Sequence, residues 1–149
     1  MDANLEIRIP ATAAEWEAYY ELRYDTLRRP WKIPETLDED EADSFHIAAF
    51  SEKGEVLGTG RLVPIDENTG QIRSMAVLDK NRKRGLGRAL LLALEKEARE
   101  RGLPTLILHA REEAVPFYER CGYRVIEPSY VLQGVIPHFL MERQGRKNA

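Results

Sequence analysis

A change of hydrophobic period around Gly85 constrains the fold of this chain more than any other feature of its sequence. Up to Val77, apolar residues alternate with polar ones or form short runs, as they do in strands. Beyond the glycine, apolar residues recur at helical spacing, at Leu90, Leu91, Leu94 and Ala98. A strand, a glycine turn and a long amphipathic helix in this order predict an α/β fold with a parallel crossover.

Strand-like segments lie on both sides of this turn. The segments at residues 46–51, 55–65 and 71–77 are joined by short polar turns, which predicts an antiparallel meander. Gly102 ends the long helix, and the apolar run at residues 105–108 that follows is typical of a buried central strand. We therefore expect the helix to connect the meander to a parallel neighbour.

The remaining segments complete the element order. Alternation over residues 5–9 predicts a first strand, and a capping box of Thr12 and Glu15 begins a helix over about residues 13–28. Further along, we expect an exposed loop with a short helix at 33–45, a helix at 112–121, strands at 123–126 and 138–142, and a frayed tail from Gln144. The predicted order is β-α-α-β-β-β-α-β-α-β-β.

Composition excludes several classes of protein. The 149 residues are 43% hydrophobic and 32% charged, which fits a single domain over residues 1–149 and excludes disorder and fibrous repeats. The net charge of −3 argues against nucleic acid as the main partner. Because no apolar run approaches the roughly 20 residues that cross a bilayer, we expect no membrane partner and a cytoplasmic protein.

The sequence offers no pattern of metal ligands. Its one cysteine, Cys121, cannot form an intramolecular disulfide, and the histidines His46, His109 and His138 have no close ligand spacing. We therefore predict no metal. Cys121 is expected to pack within a short helix rather than act as a nucleophile.

The turn before the long helix has the chemistry of an anion site. It contains Gly85 and Gly87, and its basic residues are Arg82, Lys83, Arg84 and Arg88. A helix N-terminus presents unpaired N–H groups, and glycines let a phosphate approach the backbone. Neither the P-loop nor the dinucleotide pattern fits, and a basic first turn on a solvated helix is the alternative.

Two motifs resemble those of a known family. Residues 82–87, Arg-Lys-Arg-Gly-Leu-Gly, resemble the R/Q-x-x-G-x-G/A signature of the GNAT superfamily of acetyl-coenzyme A-dependent N-acetyltransferases. Ala114 and the run from Phe117 to Tyr123 are similar to its A-x-x-F-Y-x-x-x-G-F/Y motif. The resemblance covers nearly the whole chain and implies an α/β (α+β) fold, a mixed central sheet of about six to seven strands flanked by about four helices.

The resemblance also implies a site. Acetyl-coenzyme A would be the cosubstrate, with its diphosphate on the amides of residues 82–87 and its pantetheine arm beside Met75 and Val77. Arg111 stands where the family often has Asn, and residues 134–138 resemble a Gly-Ile-Pro-His element that places His138 near the site. The implied cofactor-binding residues are Met75, Ala76, Val77, Arg82, Lys83, Arg84, Gly85, Leu86, Gly87, Arg88 and Arg111.

Direct acetyl transfer to a primary amine of a small molecule is the function that this site implies. A backbone N–H of residues 75–77 would stabilise the oxyanion, and Tyr118 would be the catalytic acid that protonates the thiolate. No enzyme nucleophile is needed. The alternative is a non-catalytic acyl-coenzyme A-binding sensor or a partner-binding module.

The acceptor side is open to several interpretations. The acidic stretch at residues 35–43 could attract a cationic amine through Glu41 and Asp43, or it could be a solvated loop. Arg23 and Arg28 could instead bind a carboxylate on the acceptor. The strand contexts of His46 and His109 favour structural roles. The family resemblance makes a homodimer possible.

Overall fold

A mixed sheet of seven strands organises the protein. The computed structural model describes residues 5–34, 39–78 and 85–144. The strands are β1 (Glu6–Arg8), β2 (Phe45–Phe50), β3 (Val56–Pro64), β4 (Thr69–Val77), β5 (Thr105–Arg111), β6 (Arg124–Leu132) and β7 (Ile136–Gln144). Their order in the sheet is β1-β2-β3-β4-β5-β7-β6, and all neighbours are antiparallel except β4 and β5. The predicted α/β class, the meander and the parallel crossover are confirmed.

Three α-helices flank the sheet in the described ranges: α1 (Ala13–Leu27), α2 (Leu86–Glu100) and α3 (Val115–Arg120). Short 3₁₀ turns follow α1 at Arg29–Trp31 and precede α3 at Glu112–Ala114. Over residues 5–34, 39–78 and 85–144, no helix combines the length and hydrophobicity needed to span a bilayer.

The predicted short helix at residues 33–45 is wrong for the part that the structure describes. Residues 39–44 form turns, in which Ser44 N donates to Glu41 O and Ser44 Oγ donates to Asp40 O. Ser and Asp compete for backbone groups in this way, which favours turns over helix. Residues 35–38 of the predicted acidic loop lie outside the described ranges.

The capping box begins α1 as predicted. Glu15 N donates to Thr12 Oγ1 at 3.1 Å, and the Glu15 carboxylate accepts from Thr12 N at 3.4 Å. Arg8 of β1 also donates to this carboxylate at 2.7 Å, so the cap connects α1 to the first strand. The helix then ends at Leu27, one residue before the predicted end.

Helices α1 and α2 cover opposite faces of the sheet. Leu90 and Leu94 of α2 pack in one cluster with Ile47, whereas Tyr19 of α1 packs with Ala48. Ile47 and Ala48 are neighbours on β2, and successive strand residues point to opposite faces. The two faces are called here the α2 face and the α1 face.

The C-terminal strands are longer than their sequence pattern indicates. β5 continues past Leu108 to Arg111, and β6 and β7 form a hairpin of nine residues on each side. Gln144, expected to begin a frayed tail, is the last residue of β7. Residues 145–149 lie outside the described ranges.

Candidate functional site

A gap between β4 and β5 is the central feature of the site. The parallel register ends at the pair Gln71–Ile107, although β4 continues to Val77 and β5 to Arg111. Over these last residues β4 stays paired with β3, and β5 with β7. The two strands therefore separate towards their C-terminal ends and form a wedge, in which an extended ligand with amide groups can pair as an additional strand.

A β-bulge bends β4 beside the wedge. Thr59 pairs with Ala76, and Arg61 pairs with Arg73. An advance of two residues along β3 therefore matches an advance of three along β4, so β4 contains one extra residue. Ser74 within the bulge has φ of 55°, in the left-handed region. Thr59 Oγ1 donates to Ser74 O at 2.9 Å, and Arg61 Nε donates to Ser74 Oγ at 3.1 Å. This bulge was not predicted, because no glycine or asparagine marks it in the sequence.

The three residues expected to line the cofactor-binding strand follow this bulge. Ala76 packs on the α1 face beside Tyr19, whereas Met75 and Val77 pack with the α2 cluster. Their backbone borders the wedge on the β4 side. Cosubstrate contacts at these residues stay a prediction.

The glycines at the start of α2 meet different requirements. Gly85 has φ of 77°, and a Cβ there would meet no atom within 4 Å. A Cβ on Gly87 would lie 3.1 Å from Cζ of Phe117 in α3. Leu86 is buried and Arg88 is exposed. The other basic residues predicted for this turn lie outside the described ranges: Arg82, Lys83 and Arg84. Gly85 thus leaves space for a ligand, and Gly87 leaves space for an aromatic ring.

Tyr118 is a buried acid whose hydroxyl has no hydrogen-bond partner among the described residues. Its ring centroid lies 5.0 Å from that of Phe117 and 6.0 Å from that of Tyr123. None of the described residues hydrogen-bonds to its hydroxyl, and burial raises the pKa of the phenol far above its usual range. The hydroxyl is therefore protonated at neutral pH and can donate to a ligand. Burial also raises the pKa of the Cys121 thiol, which opposes thiolate formation.

Arg111, predicted to contact the cosubstrate, connects the wedge to α1. Its Nη2 donates to the carbonyl of Leu27 at the end of that helix. The guanidinium also lies 4.5 Å from the centroid of the Trp31 ring, in a cation–π contact. These contacts hold the end of α1 over the α1 face, and the predicted role in cosubstrate binding stays a prediction.

His46 is satisfied at both ring nitrogens. Nε2 lies 2.7 Å from the carbonyl oxygen of Glu41, and Nδ1 lies 2.7 Å from the hydroxyl of Tyr19. A carbonyl can only accept, so Nε2–H donates and Nδ1 accepts from the tyrosine. Burial lowers the pKa of this imidazole, which keeps it neutral. His46 thus has the structural role that its strand context favoured.

His109 and His138 lie on the α1 face, His109 on β5 at the edge of the wedge and His138 one strand further out on β7. Nδ1 of His138 lies 2.9 Å from the carbonyl of Ile136, and its ring stacks on Tyr130 at 4.3 Å between centroids. The ring centroid of His109 lies 5.5 Å from that of Tyr130, and the buried Nδ1 of His109 has no partner among the described residues. Burial lowers the pKa of both imidazoles, so both are neutral at pH 7.

The acidic stretch is not a solvated loop at Glu41. Arg23 contacts both carboxylate oxygens of Glu41, at 2.7 and 3.1 Å, and Tyr20 donates to it at 3.3 Å. Burial raises the pKa of this carboxyl, but Arg23 and Arg61 outweigh that effect and hold the pKa below its usual value. Glu41 and Arg23 thus bind each other. Asp43 is exposed.

A second concavity is separate from the wedge. This cleft of about 540 Å³ is lined by residues that include Ile9, Trp16, Phe45 and Arg101. Arg101 follows α2, at the end opposite Gly85, roughly 24 Å away at 1.5 Å per helical residue. In the described part of the chain, no group of three or more His, Cys, Asp or Glu side chains is arranged to hold a metal ion.

Comparison with known proteins assigns this arrangement to a family. The model of the acetyltransferase (GNAT) family matches residues 11–123. The chain belongs to the GNAT family. A relative from Bacillus subtilis (strain 168), the uncharacterized N-acetyltransferase YjcF, is 35% identical over 127 residues, which are 84% of this chain and 89% of the relative. This GNAT protein is an acyltransferase.

Two solved structures extend the likeness to nearly the whole chain. An aminoglycoside 6′-N-acetyltransferase complexed with coenzyme A superposes with a TM-score of 0.80 at 17% identity, covering 97% of this chain and 98% of that one. A GNAT family acetyltransferase from Elizabethkingia anophelis with acetyl-CoA bound gives 0.72 at 19% identity, covering 96% and 99%. At these identities the likeness concerns the fold, and the GNAT fold is confirmed.

Proposed function

We propose that this GNAT protein transfers the acetyl group of acetyl-coenzyme A to a primary amine of a small molecule by direct attack. The wedge between β4 and β5 is the observation that carries this proposal, because pairing stops at Gln71 and Ile107 while both strands continue. Fold neighbours that hold coenzyme A or acetyl-CoA support the choice of cosubstrate.

The described residues fit such a cosubstrate at two points. The amide groups of a pantetheine arm match the strand edges of the wedge, which offer backbone donors and acceptors. A diphosphate matches the first-turn N–H groups of α2, where Gly85 has no Cβ and a Cβ would meet open space. Exposed Arg88 adds a positive charge on the same turn.

The chain supplies two groups for the reaction itself. Acetyl-coenzyme A brings an acyl group that is already activated as a thioester. A backbone N–H of residues 75–77, next to the Ser74 bulge, donates to the oxygen that becomes negative during attack. Tyr118, protonated because burial raises its pKa, donates to the departing thiolate. Cys121 has no part in this direct transfer.

Calorimetry and a thiol-release assay test the proposal together. Acetyl-coenzyme A is titrated into the protein, and release of thiol is followed with spermidine, glucosamine and lysine as probe amines. We expect binding and thiol release that depends on an amine. No binding at millimolar acetyl-coenzyme A would overturn the proposal, and binding without amine-dependent release would favour the non-catalytic sensor.

A further inference from the structure

His138 has its proton fixed on one ring nitrogen. Among the described residues, the partner of Nδ1 is the carbonyl of Ile136, 2.9 Å away, and a carbonyl cannot donate. Nδ1 therefore carries the hydrogen, and the lone pair of the neutral ring lies on Nε2. Nε2 has no hydrogen-bond partner among the described residues and is not sealed in the interior. The ring is thus prepared to accept a proton at one known atom.

His138 lies on β7, one strand beyond the open end of the wedge. His138 pairs with Arg111, the last residue of β5, so both side chains lie on the same face of the sheet. That face is the α1 face, because the preceding residue Ala110 belongs to the α2 cluster. Tyr130 of β6 stacks on the ring with an interplanar angle of 13° and limits its rotation.

The charged and titratable groups around His138 come from three elements. Arg111 and His109 lie on β5, Glu113 lies on the 3₁₀ turn that follows it, and Tyr130 lies on β6. Burial, Arg111 and His109 lower the pKa of His138, and the Ile136 carbonyl and Glu113 raise it, with a net lowering. The imidazole is therefore free of a proton at Nε2 at neutral pH.

We propose that His138 is the catalytic base, and that its Nε2 takes a proton from the amine of the acceptor. The proposal rests on the acetyltransferase function above. An ammonium acceptor gives one proton to Nε2, and the lone pair so formed bonds to the thioester carbonyl carbon. The C–S bond breaks with its electron pair on sulfur, and Tyr118 passes its hydroxyl proton to that thiolate as it receives the second proton from nitrogen. Water later removes the proton from the imidazolium.

Other candidate bases in the described part of the chain are less suited to this step. His46 is bonded at both ring nitrogens. Glu41 is ion-paired with Arg23. His109 has no hydrogen bond that orients its ring or fixes its tautomer, and its Nδ1 is buried. Among the three histidines, His138 combines an orienting partner at Nδ1 with an Nε2 that no described residue hydrogen-bonds.

The substitution His138→Asn removes the proposed proton acceptor and keeps the hydrogen bond that orients the side chain. The amide nitrogen of asparagine occupies the position of Nδ1 and can still donate to Ile136 O, whereas nothing replaces Nε2. We expect kcat/KM at pH 7 to fall by about 100-fold, in the range for a lost general base. Affinity for acetyl-coenzyme A should stay unchanged. The deficit should shrink as the pH approaches the pKa of the probe amine, where the amine is already neutral.

His109→Asn is the matched control on the neighbouring strand. In the parent protein and in this control, kcat/KM should fall at acidic pH as His138 becomes protonated. In His138→Asn this fall should be absent. Histidine-labelled protein studied by NMR should show the Nδ1–H tautomer for His138. The assignment of His138 as the base would be overturned if kcat/KM of His138→Asn still fell at acidic pH, or if NMR placed the His138 proton on Nε2. Either result would leave the acetyltransferase function standing. Absence of thiol release with every probe amine would overturn both.

Discussion

Removal of the Tyr118 hydroxyl should lower turnover while leaving the stability of the protein nearly unchanged. It makes no hydrogen bond within the described residues, so the folded protein loses none in Tyr118→Phe. We expect the free energy of unfolding to change by less than about 0.5 kcal/mol. Turnover should fall about 100-fold, because the thiolate loses its proton donor. Urea unfolding and amine-dependent thiol release measure the two quantities.

Tyr123→Phe is the matched control for that substitution. The Tyr123 hydroxyl donates to the buried carboxylate of Glu95 at 2.8 Å, so here a charge-assisted bond is lost. We expect destabilisation of about 1.5–3 kcal/mol. Turnover per folded molecule should stay near that of the parent. If Tyr118→Phe lowered stability as much as Tyr123→Phe while turnover held, Tyr118 would be a packing residue.

At the scale of elements, Gly87 determines how closely α3 approaches the start of α2. Its missing Cβ would lie 3.1 Å from Phe117 Cζ, and the ring cannot move away without disturbing its contact with Tyr118. Gly87→Ala should therefore destabilise the protein by about 1–2 kcal/mol. Because leucine has no atom at the position of Cζ, Gly87→Ala should cost less in a Phe117→Leu background.

Thermal or urea unfolding of the four proteins in this double-mutant cycle measures the coupling between the two positions. Calorimetry with acetyl-coenzyme A on the same proteins shows whether Gly87 also serves the ligand. Additive effects on stability would contradict the packing role of Gly87, and would leave approach of the ligand as the reason for a glycine there.

Elements determined by local pattern were predictable, and those determined by distant partners were not. The period of α2 and its flanking glycines gave its start and end closely. Glu95 stands four residues before Arg99, a spacing that favours an ion pair on the helix surface, but it turns inwards to Tyr123 and Arg143, 28 and 48 residues away. The Ser74 bulge likewise depends on side chains of β3. Such contacts leave no periodic trace in the sequence.

In the site, too, features carried by short runs of sequence were predictable and contacts between distant segments were not. Motif resemblance indicated Tyr118 and the glycine turn, because short runs of sequence carry them. The pairing of Glu41 with Arg23 could not be read from either segment, since 18 residues separate the two partners. Neither could the stacking of Tyr130 on His138, because it requires the β6–β7 hairpin to be registered first.

At the scale of the whole molecule, the two faces of the sheet present different functional groups near the wedge between β4 and β5. On the α2 face, the start of α2 and Tyr118 of α3 adjoin the wedge. On the α1 face, His109 and Arg111 lie on β5 at the edge of the gap, and Arg111 holds the end of α1. His138 lies on the same face one strand further out, on β7. In the proposed function, a thioester carrier on the α2 face and an amine on the α1 face would meet at the wedge, since direct transfer requires both to be bound together.

The three histidines, two buried and one half-buried, predict how stability depends on pH. Burial lowers the pKa of His46, His109 and His138 in the folded state, so below about pH 6.5 the unfolded chain binds more protons than the folded one. The contribution of these histidines to the free energy of unfolding is therefore fully present above that pH and is lost progressively as the pH falls below it. The lowered pKa of Glu41 acts in the same direction, with its contribution lost below about pH 4.5.

Urea unfolding at pH 8, 7, 6 and 5 measures this dependence, and the midpoint should fall steadily from pH 7 to 5. In His138→Asn one of the three groups is gone, so the slope of unfolding free energy against pH should decrease by up to about 1.4 kcal/mol per pH unit in that range. A midpoint that is flat between pH 7 and 5 would mean that these imidazoles accept protons in the folded state as readily as in the unfolded chain. The burial and bonding that keep them neutral would then not persist in solution.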